Sequence, residues 1–92
     1  MRTKVEVIEV DGEGLESLLN KNVMIMCFNY FYTGKLVGVN DTFIKLENPH
    51  IVYETGAFSD KKFKDAQKIS DNPHYIQISA IESYCESTKT LI

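Results

Sequence analysis

The chain has no tryptophan, only two cysteines and two prolines, and no excess of positive charge. Its 92 residues carry a net charge of -3 at pH 7, so no overall basic field attracts phosphate groups. The content of 43% hydrophobic and 25% charged residues is ordinary for a globular protein and argues against a disordered chain. We therefore expect one domain, in which any contact with nucleic acid depends on a local patch.

The residues typical of metal sites and of common active sites are too sparse to form one. Cys27 and Cys85 lie in separate apolar runs, without a CxxC motif or a Cys/His cluster, so we expect two reduced, buried thiols and no zinc. His50 and His74 have no carboxylate or thiol at ligand spacing. No nucleophile elbow or phosphate-binding loop is present. We expect no metal, no cofactor, no catalytic residues and no enzymatic activity.

Long apolar runs are also missing. No stretch approaches the length of about eighteen apolar residues that a membrane-spanning helix needs. Met1 is not followed by the apolar segment of a signal peptide. The expected location is the cytoplasm, without membrane contact.

What the sequence does contain is a series of short apolar runs between turn signals. Residues 1–13 predict an extended arm, and three leucines at helical spacing predict a short helix at 14–20. Five strands are predicted after this helix, at residues 22–32, 33–39, 42–53, 74–79 and 80–85. Short antiparallel strands in a chain of this size favour closure into a barrel, which removes exposed edges.

Three strand features predict how this sheet is shaped. The run NVMIMCFNYFY is apolar at even and odd positions, so both faces need a cover: the barrel interior on one side, and the helix or a neighbouring subunit on the other. Gly34 and Gly38 predict a strongly bent strand with no room for Cβ atoms. Pro49 lacks an N–H group and predicts a bend or bulge in the third strand.

The segment 54–73 is a polar insertion between the third and fourth strands. Within it, SDKKFKDAQKI predicts a short helix that docks through Phe63, Ala66 and Ile69. Lys61, Lys62 and Lys64 flank Phe63, so this segment is one candidate contact for single-stranded RNA. The alternative is a solvated loop face, since three aspartates dilute the basic charge.

Several ordered motifs resemble the Sm-like family, which includes the eukaryotic Sm proteins and the bacterial RNA chaperone Hfq. LLNKNVMIMCFN resembles the entry into that family's first strand, and Gly34 with Leu36 matches its glycine and the aliphatic residue two positions on. FIKLEN resembles its third strand, and AIES resembles the end of the second motif in Hfq. The resemblance covers residues 14–85.

This resemblance implies a mainly β fold, the Sm-like fold: a short N-terminal helix followed by a five-stranded, strongly bent antiparallel SH3-like barrel. It divides the single domain into a first motif at 22–53, a variable insertion at 54–73, a second motif at 74–85 and a tail at 86–92. It also implies a homo-oligomeric ring of about five to seven subunits. The candidate interface residues are Tyr75, Ile76, Ile78, Ile81 and Tyr84.

The chain departs from the family where RNA is expected to bind. The loop aspartate of the family is replaced by Asn40, and the base-stacking residue by Thr42. The uracil-binding asparagine falls at Ile44, and the basic pair of the second motif falls at Gln77 to Ser79. Loss of stacking removes about 1–3 kcal/mol per base. The candidate RNA contacts at this place are Asn40, Asp41, Thr42, Gln77 and Ser79.

Two functions from different classes are therefore open. The first is an Sm-like ring with an RNA-binding or RNA-chaperone role and an altered nucleotide pocket, whose partners are copies of itself and single-stranded RNA. The second is a ring that serves as a structural or protein-interaction module and has lost RNA binding, which the acidic net charge favours. A monomeric SH3-like adaptor barrel is a third reading.

Overall fold

A computed structural model describes residues 13–89, which form one antiparallel sheet with two short 3₁₀ turns. The strands are β1 (Asn22–Cys27), β2 (Phe31–Val39), β3 (Phe43–Glu54), β4 (Asp65–Lys68), β5 (His74–Gln77) and β6 (Ile81–Glu86). The 3₁₀ turns are Leu15–Leu18 before β1 and Ile78–Ala80 between β5 and β6. The predicted arm up to residue 12 lies outside the described residues.

The sheet has the strand order β4-β3-β2-β1-β6, with β5 on the remaining half of β3. β3 is long enough to pair along its first half with β5 and along its second half with β4. The mainly β class is therefore confirmed. β5 and β6 share no ladder in the described part of the chain, so this sheet is not closed into the predicted barrel.

The helix predicted at residues 14–20 is a single 3₁₀ turn. The turn ends at Leu18, because Leu19 already has an extended backbone with φ of -55° and ψ of 135°. Asn20 follows with a left-handed φ of 68°, which asparagine tolerates better than most residues. Leu15 and Leu18 pack against the core from this turn, as the leucine spacing predicted. The segment has too few residues for the i→i-4 ladder of an α-helix to become regular.

Alternate residues of β1 enter two apolar clusters on opposite faces of the sheet. The first cluster is the main core, and its buried members are Val23, Ile25, Cys27, Leu36, Ile44, Leu46 and Ile76. The second cluster contains Met24, Val52 and Phe63, with Met26, Phe31 and Ala66 packed on it. The prediction that both faces of this strand are covered is correct for these residues.

The cover of the second face differs from the expectation. Phe63, from the segment between β3 and β4, is only 8% exposed and packs with Met24 and Val52. The chain thus covers this face with its own insertion, and neither the N-terminal helix nor a neighbouring subunit is needed. The apolar second face of β1 consequently gives no argument for oligomerisation.

The insertion also differs from its predicted secondary structure. Residues Asp65–Lys68, predicted to be helical, form β4 and pair with the second half of β3, from His50↔Lys68 to Glu54↔Asp65. Phe63 and Ala66 do dock on the sheet, as predicted, but they reach it from a loop and a strand. Phe63 and Ala66 are three positions apart, a spacing that is compatible with a helix. It is the pairing with β3 that makes residues Asp65–Lys68 a strand.

The bend in β3 occurs where Pro49 predicted it. The register between β2 and β3 shifts between Thr33 and Lys35, and Asn48 has a positive φ of 50° at the same place. Gly34 lies opposite this irregularity, where a Cβ atom would stand 2.8 Å from the backbone oxygen of Glu47. Gly34 is therefore required by the close approach of β3, as expected.

No helix within residues 13–89 has the length and apolar character needed to cross a membrane.

Candidate nucleic-acid interface

The turn between β2 and β3 is held by the side chain of Asn40. Its Oδ1 accepts hydrogen bonds from the backbone N–H groups of Thr42 and Phe43, both at 2.8 Å. The backbone N–H group of Asn40 donates to Phe43 O at 3.0 Å. These bonds make an Asx-type turn, in which the amide side chain replaces a backbone acceptor. The first role of Asn40 is thus to fix the shape of this turn.

Replacing Asn40 with alanine is expected to lower the free energy of unfolding by about 1 kcal/mol, because the acceptor of two backbone N–H groups is lost. Asn40→Asp keeps an acceptor oxygen at the same place and is expected to retain most of the stability. Chemical denaturation followed by circular dichroism measures both values. Equal stabilities of Asn40→Ala and the unchanged protein would contradict this role of the side chain.

The structure brings the predicted contacts at residues 40–42 next to those at residues 77–79. Ile78 N–H donates to Thr42 O at 2.8 Å, and Phe43 pairs with Gln77 across β3 and β5. We use the term corner site for the exposed residues gathered at this junction, which are Asn40, Asp41, Thr42, Gln77 and Ser79. Residues more than thirty positions apart in the chain are therefore neighbours here, as the family resemblance implied.

Next to the corner site lies an aromatic pair that the family motifs do not assign to RNA. The rings of Phe43 and Tyr75 meet edge to face, with centroids 5.4 Å apart, and Lys45 Nζ lies 5.9 Å from the Tyr75 centroid. Tyr75 is 54% exposed and Phe43 37% exposed. An exposed aromatic surface with an adjacent cation suits a stacked base and its phosphate.

The signal for this pair was present in the strand alternation. Ile44 and Leu46 are buried in the core, so Phe43 and Lys45, which alternate with them, point to the opposite face. On β5, Tyr75 likewise points away from the core because the next residue, Ile76, is buried. The family motif places its stacking residue in the turn, at Thr42. The aromatic residue of this chain is the next one, Phe43, at the start of β3. That Lys45 stands opposite Tyr75 follows only from the register between β3 and β5, which the sequence does not give.

The second predicted RNA contact lies at the other end of β3. Lys61, Lys62 and Lys64 precede β4, whose partner is the half of β3 remote from the corner site. Lys64 Nζ is 3.4 Å from a carboxylate oxygen of Glu54, and Phe63 is buried. Phe63 is therefore not a stacking platform, and the structure does not bring these lysines to the corner site.

The predicted interface residues fall into two groups. Ile76 is buried in the core, and Ile78 and Ile81 pack partly against it, so these three side chains stabilise the subunit itself. Tyr75 and Tyr84 are exposed, at 54% and 38%.

The backbone edges of the last two strands point away from the sheet. In β6, Ser87 N–H donates to Asn22 O, so the N–H group of Tyr84, three residues earlier, points away from β1. In β5, Ile78 N–H donates to Thr42 O, so the N–H group of Tyr75 likewise points away from β3. β5 pairs with β3 and β6 pairs with β1, and no further partner of either strand is found in residues 13–89. Two strand edges are thus available for pairing with another chain.

A separate groove of about 420 Å³ lies between the β1–β2 turn and the end of β3. It is lined by Asn29, Tyr30, Phe31, Val52, Tyr53, Glu54 and Thr55. Tyr30 and Tyr53 are 48% and 56% exposed, and Phe28, two positions before Tyr30 in the chain, is 90% exposed. Tyr30 is therefore a surface residue of the single chain.

The cysteines differ from each other in environment. Cys27 is buried, and this burial raises the pKa of its thiol, so the group stays protonated and unreactive at neutral pH. Cys85 is exposed, contrary to the prediction of two buried thiols. Within residues 13–89, no cluster of three or more His, Cys, Asp or Glu side chains is placed to hold a metal ion.

Comparison of the chain with protein-family models, with curated proteins and with solved structures finds no match.

Proposed function

We propose that this chain is a divergent Sm-like subunit that assembles into a homo-oligomeric ring and binds single-stranded RNA at the corner site. The strand connections support the fold assignment. Leaving out β4, the strands follow the order β6-β1-β2-β3-β5, and a 3₁₀ turn joins β5 directly to β6. This strand order and the short connection between β5 and β6 fit the SH3-like barrel that the family resemblance implies. β4 is then an addition supplied by the insertion.

The ring is supported by the two open edges. β5 and β6 follow each other in the chain, and both expose outward backbone groups, at Tyr75 and at Tyr84. Pairing β5 of one subunit with β6 of the next is a heterologous contact, which closes into a ring when the rotation between subunits divides a full turn. Such pairing also removes the edges, which in a lone subunit are sites of unwanted aggregation.

The RNA role rests on one observation, the exposed Phe43–Tyr75 pair with Lys45 beside the corner site. A base stacked on the more exposed ring, that of Tyr75, places its phosphate near the lysine and its polar edge near Thr42 and Gln77. The hydroxyl and the amide can each donate and accept hydrogen bonds. The family's stacking function is then carried by a strand residue instead of the turn residue Thr42. This local basic and aromatic surface does not depend on the net charge of the whole chain.

Tyr75→Ala is expected to weaken binding of single-stranded RNA by about 5- to 150-fold, the equivalent of about 1–3 kcal/mol for one stacked base. Fluorescence anisotropy of labelled U-rich and A-rich oligonucleotides at low and moderate salt measures the affinity. Tyr53→Ala is the matched control, since Tyr53 is equally exposed but lies at the far end of β3. Light scattering on both variants separates loss of RNA contact from loss of assembly.

A triple change of Lys61, Lys62 and Lys64 to glutamate tests the other predicted contact. Under this proposal it leaves the affinity for RNA at moderate salt nearly unchanged, because these residues lie at the far end of β3 from the corner site. If the triple variant loses most of its affinity for RNA while Tyr75→Ala keeps its affinity, the RNA site lies on the insertion instead of the corner site.

The second candidate function is a ring that binds protein. The observation in its favour is the groove between Tyr30 and Tyr53, since exposed aromatic residues are enriched at protein interfaces. Absence of RNA binding at tens of micromolar protein (about 10–100 μM), in a sample that scatters light as a ring, would favour it over RNA binding.

A further inference from the structure

In the segment after β6, the partly buried Lys89 directs its ammonium group at the loop that follows β3. Lys89 Nζ donates hydrogen bonds to three backbone oxygens: Asp60 O at 2.7 Å, Ala57 O at 2.8 Å and Thr55 O at 3.4 Å. The ring of Phe63 also faces this ammonium group, with its centroid 5.7 Å from Nζ. A lysine ammonium has three N–H donors, and all of them have acceptors here.

The loop that supplies these oxygens is held in shape by its own bonds. Asp60 N–H donates to Ala57 O at 2.9 Å, and Ala57 N–H donates to the Asp60 carboxylate at 3.1 Å. Gly56 has a positive φ of 72°, which turns the chain between Thr55 and Ala57. These bonds hold Ala57 and Asp60 together, so their carbonyl oxygens stand close enough to accept from one ammonium group.

We propose that residues 55–60, together with Phe63, form a binding site for a primary ammonium group, and that Lys89 is its internal ligand. The C-terminal segment is thereby a latch. β6 lies at one end of the strand order, while the loop follows β3 near the other end. Lys89 joins these two ends across the face that carries the second apolar cluster, and it fixes Thr55, which lines the aromatic groove.

The chemistry makes the site selective. Neutral carbonyl oxygens and an aromatic face attract a compact cation, and three converging acceptors match the three N–H bonds of an ammonium group. The planar guanidinium of arginine presents its donors in a flat fork and does not fit three acceptors that converge on one atom. A quaternary ammonium has no N–H group and gains only the aromatic contact.

Hydrogen–deuterium exchange of the full chain tests the latch. Lys89→Met keeps the length of the side chain without the ammonium, and backbone amides in residues 55–63 are expected to exchange about tenfold faster or more. Lys89→Arg is expected to restore little of the protection. Lys21→Met is the matched control, since Lys21 makes one exposed ion pair, with Glu86, and is expected to leave this loop unchanged.

Chemical rescue identifies the ligand class. In Lys89→Ala, n-butylammonium chloride is expected to restore slow exchange in residues 55–63, while tetramethylammonium chloride at the same concentration is not. Equal effects of the two salts would overturn the ammonium site. The latch is overturned if Lys89→Met exchanges like the unchanged protein, or if exchange rises equally in β1 and β2, which indicates general loss of stability.

Discussion

Gly34→Ala is expected to lower the free energy of unfolding by about 3 kcal/mol, the upper end of the usual cost of overpacking. The new Cβ atom would stand 2.8 Å from the backbone oxygen of Glu47 and 3.2 Å from Leu46 Cβ. Neither neighbour can give way cheaply, because Glu47 O belongs to the backbone of β3 and Leu46 is fully buried in the main core. For a domain of this size, such a loss is a large fraction of the total stability.

Gly38→Ala is the matched control on the same strand. Its Cβ atom would lie 3.4 Å from Lys45 Cβ, which is ordinary van der Waals contact. Since alanine restricts the unfolded chain more than glycine does, we expect a change within about 0.5 kcal/mol, or a slight gain. Urea unfolding of both variants gives the comparison. Equal losses at the two positions would mean that β3 does not approach β2 closely at Gly34.

Tyr84→Pro is expected to convert the proposed ring into single subunits. The N–H group of this residue points away from β1, so proline removes a donor from the open edge of β6 without breaking the ladder to β1. Tyr84→Ser is the matched control, because it removes the same aromatic side chain and keeps the backbone N–H group. Light scattering after size-exclusion chromatography is expected to show the ring for Tyr84→Ser and the monomer for Tyr84→Pro.

Two outcomes would contradict this mode of assembly. If the unchanged protein scatters light as a monomer at tens of micromolar (about 10–100 μM), the ring is wrong and a monomeric adaptor barrel fits better. If Tyr84→Pro assembles as well as Tyr84→Ser does, the subunits join through some surface other than the edge of β6. The RNA-binding measurements on Tyr75→Ala keep their meaning in both cases, since Tyr75 and the adjacent corner site lie within a single chain.

The candidate site was partly predictable. The turn at Asn40 and its closeness to Gln77 followed from the order of the motifs, and the structure places these residues together. The Phe43–Tyr75 pair was not found, because it depends on which residues of β3 and β5 stand opposite each other. Register is set by bulges and by core packing over the whole sheet, and a shift of one residue would turn the tyrosine inward.

The insertion shows where local pattern is insufficient. Its residues have the spacing of a short helix and also the alternation of a short strand, so sequence alone leaves the choice open. The second half of β3 offers unpaired backbone groups to the following chain, and burial of Phe63 against Met24 and Val52 draws that chain onto the sheet. The lysines of the insertion then lie at the end of β3 remote from the corner site, which their sequence could not indicate.

The sequence by itself determined the β class, most strand positions, the bulge at Pro49 and the need to cover both faces of β1. These follow from short-range properties: side-chain alternation, the missing N–H group of proline and the missing Cβ of glycine. Only the tertiary structure decided that Phe63 covers the second face, that Gly34 is crowded and Gly38 is not, and that Lys89 reaches the 55–60 loop. Each of these depends on distances between segments far apart in the chain, which are set by the packing and pairing of the complete sheet.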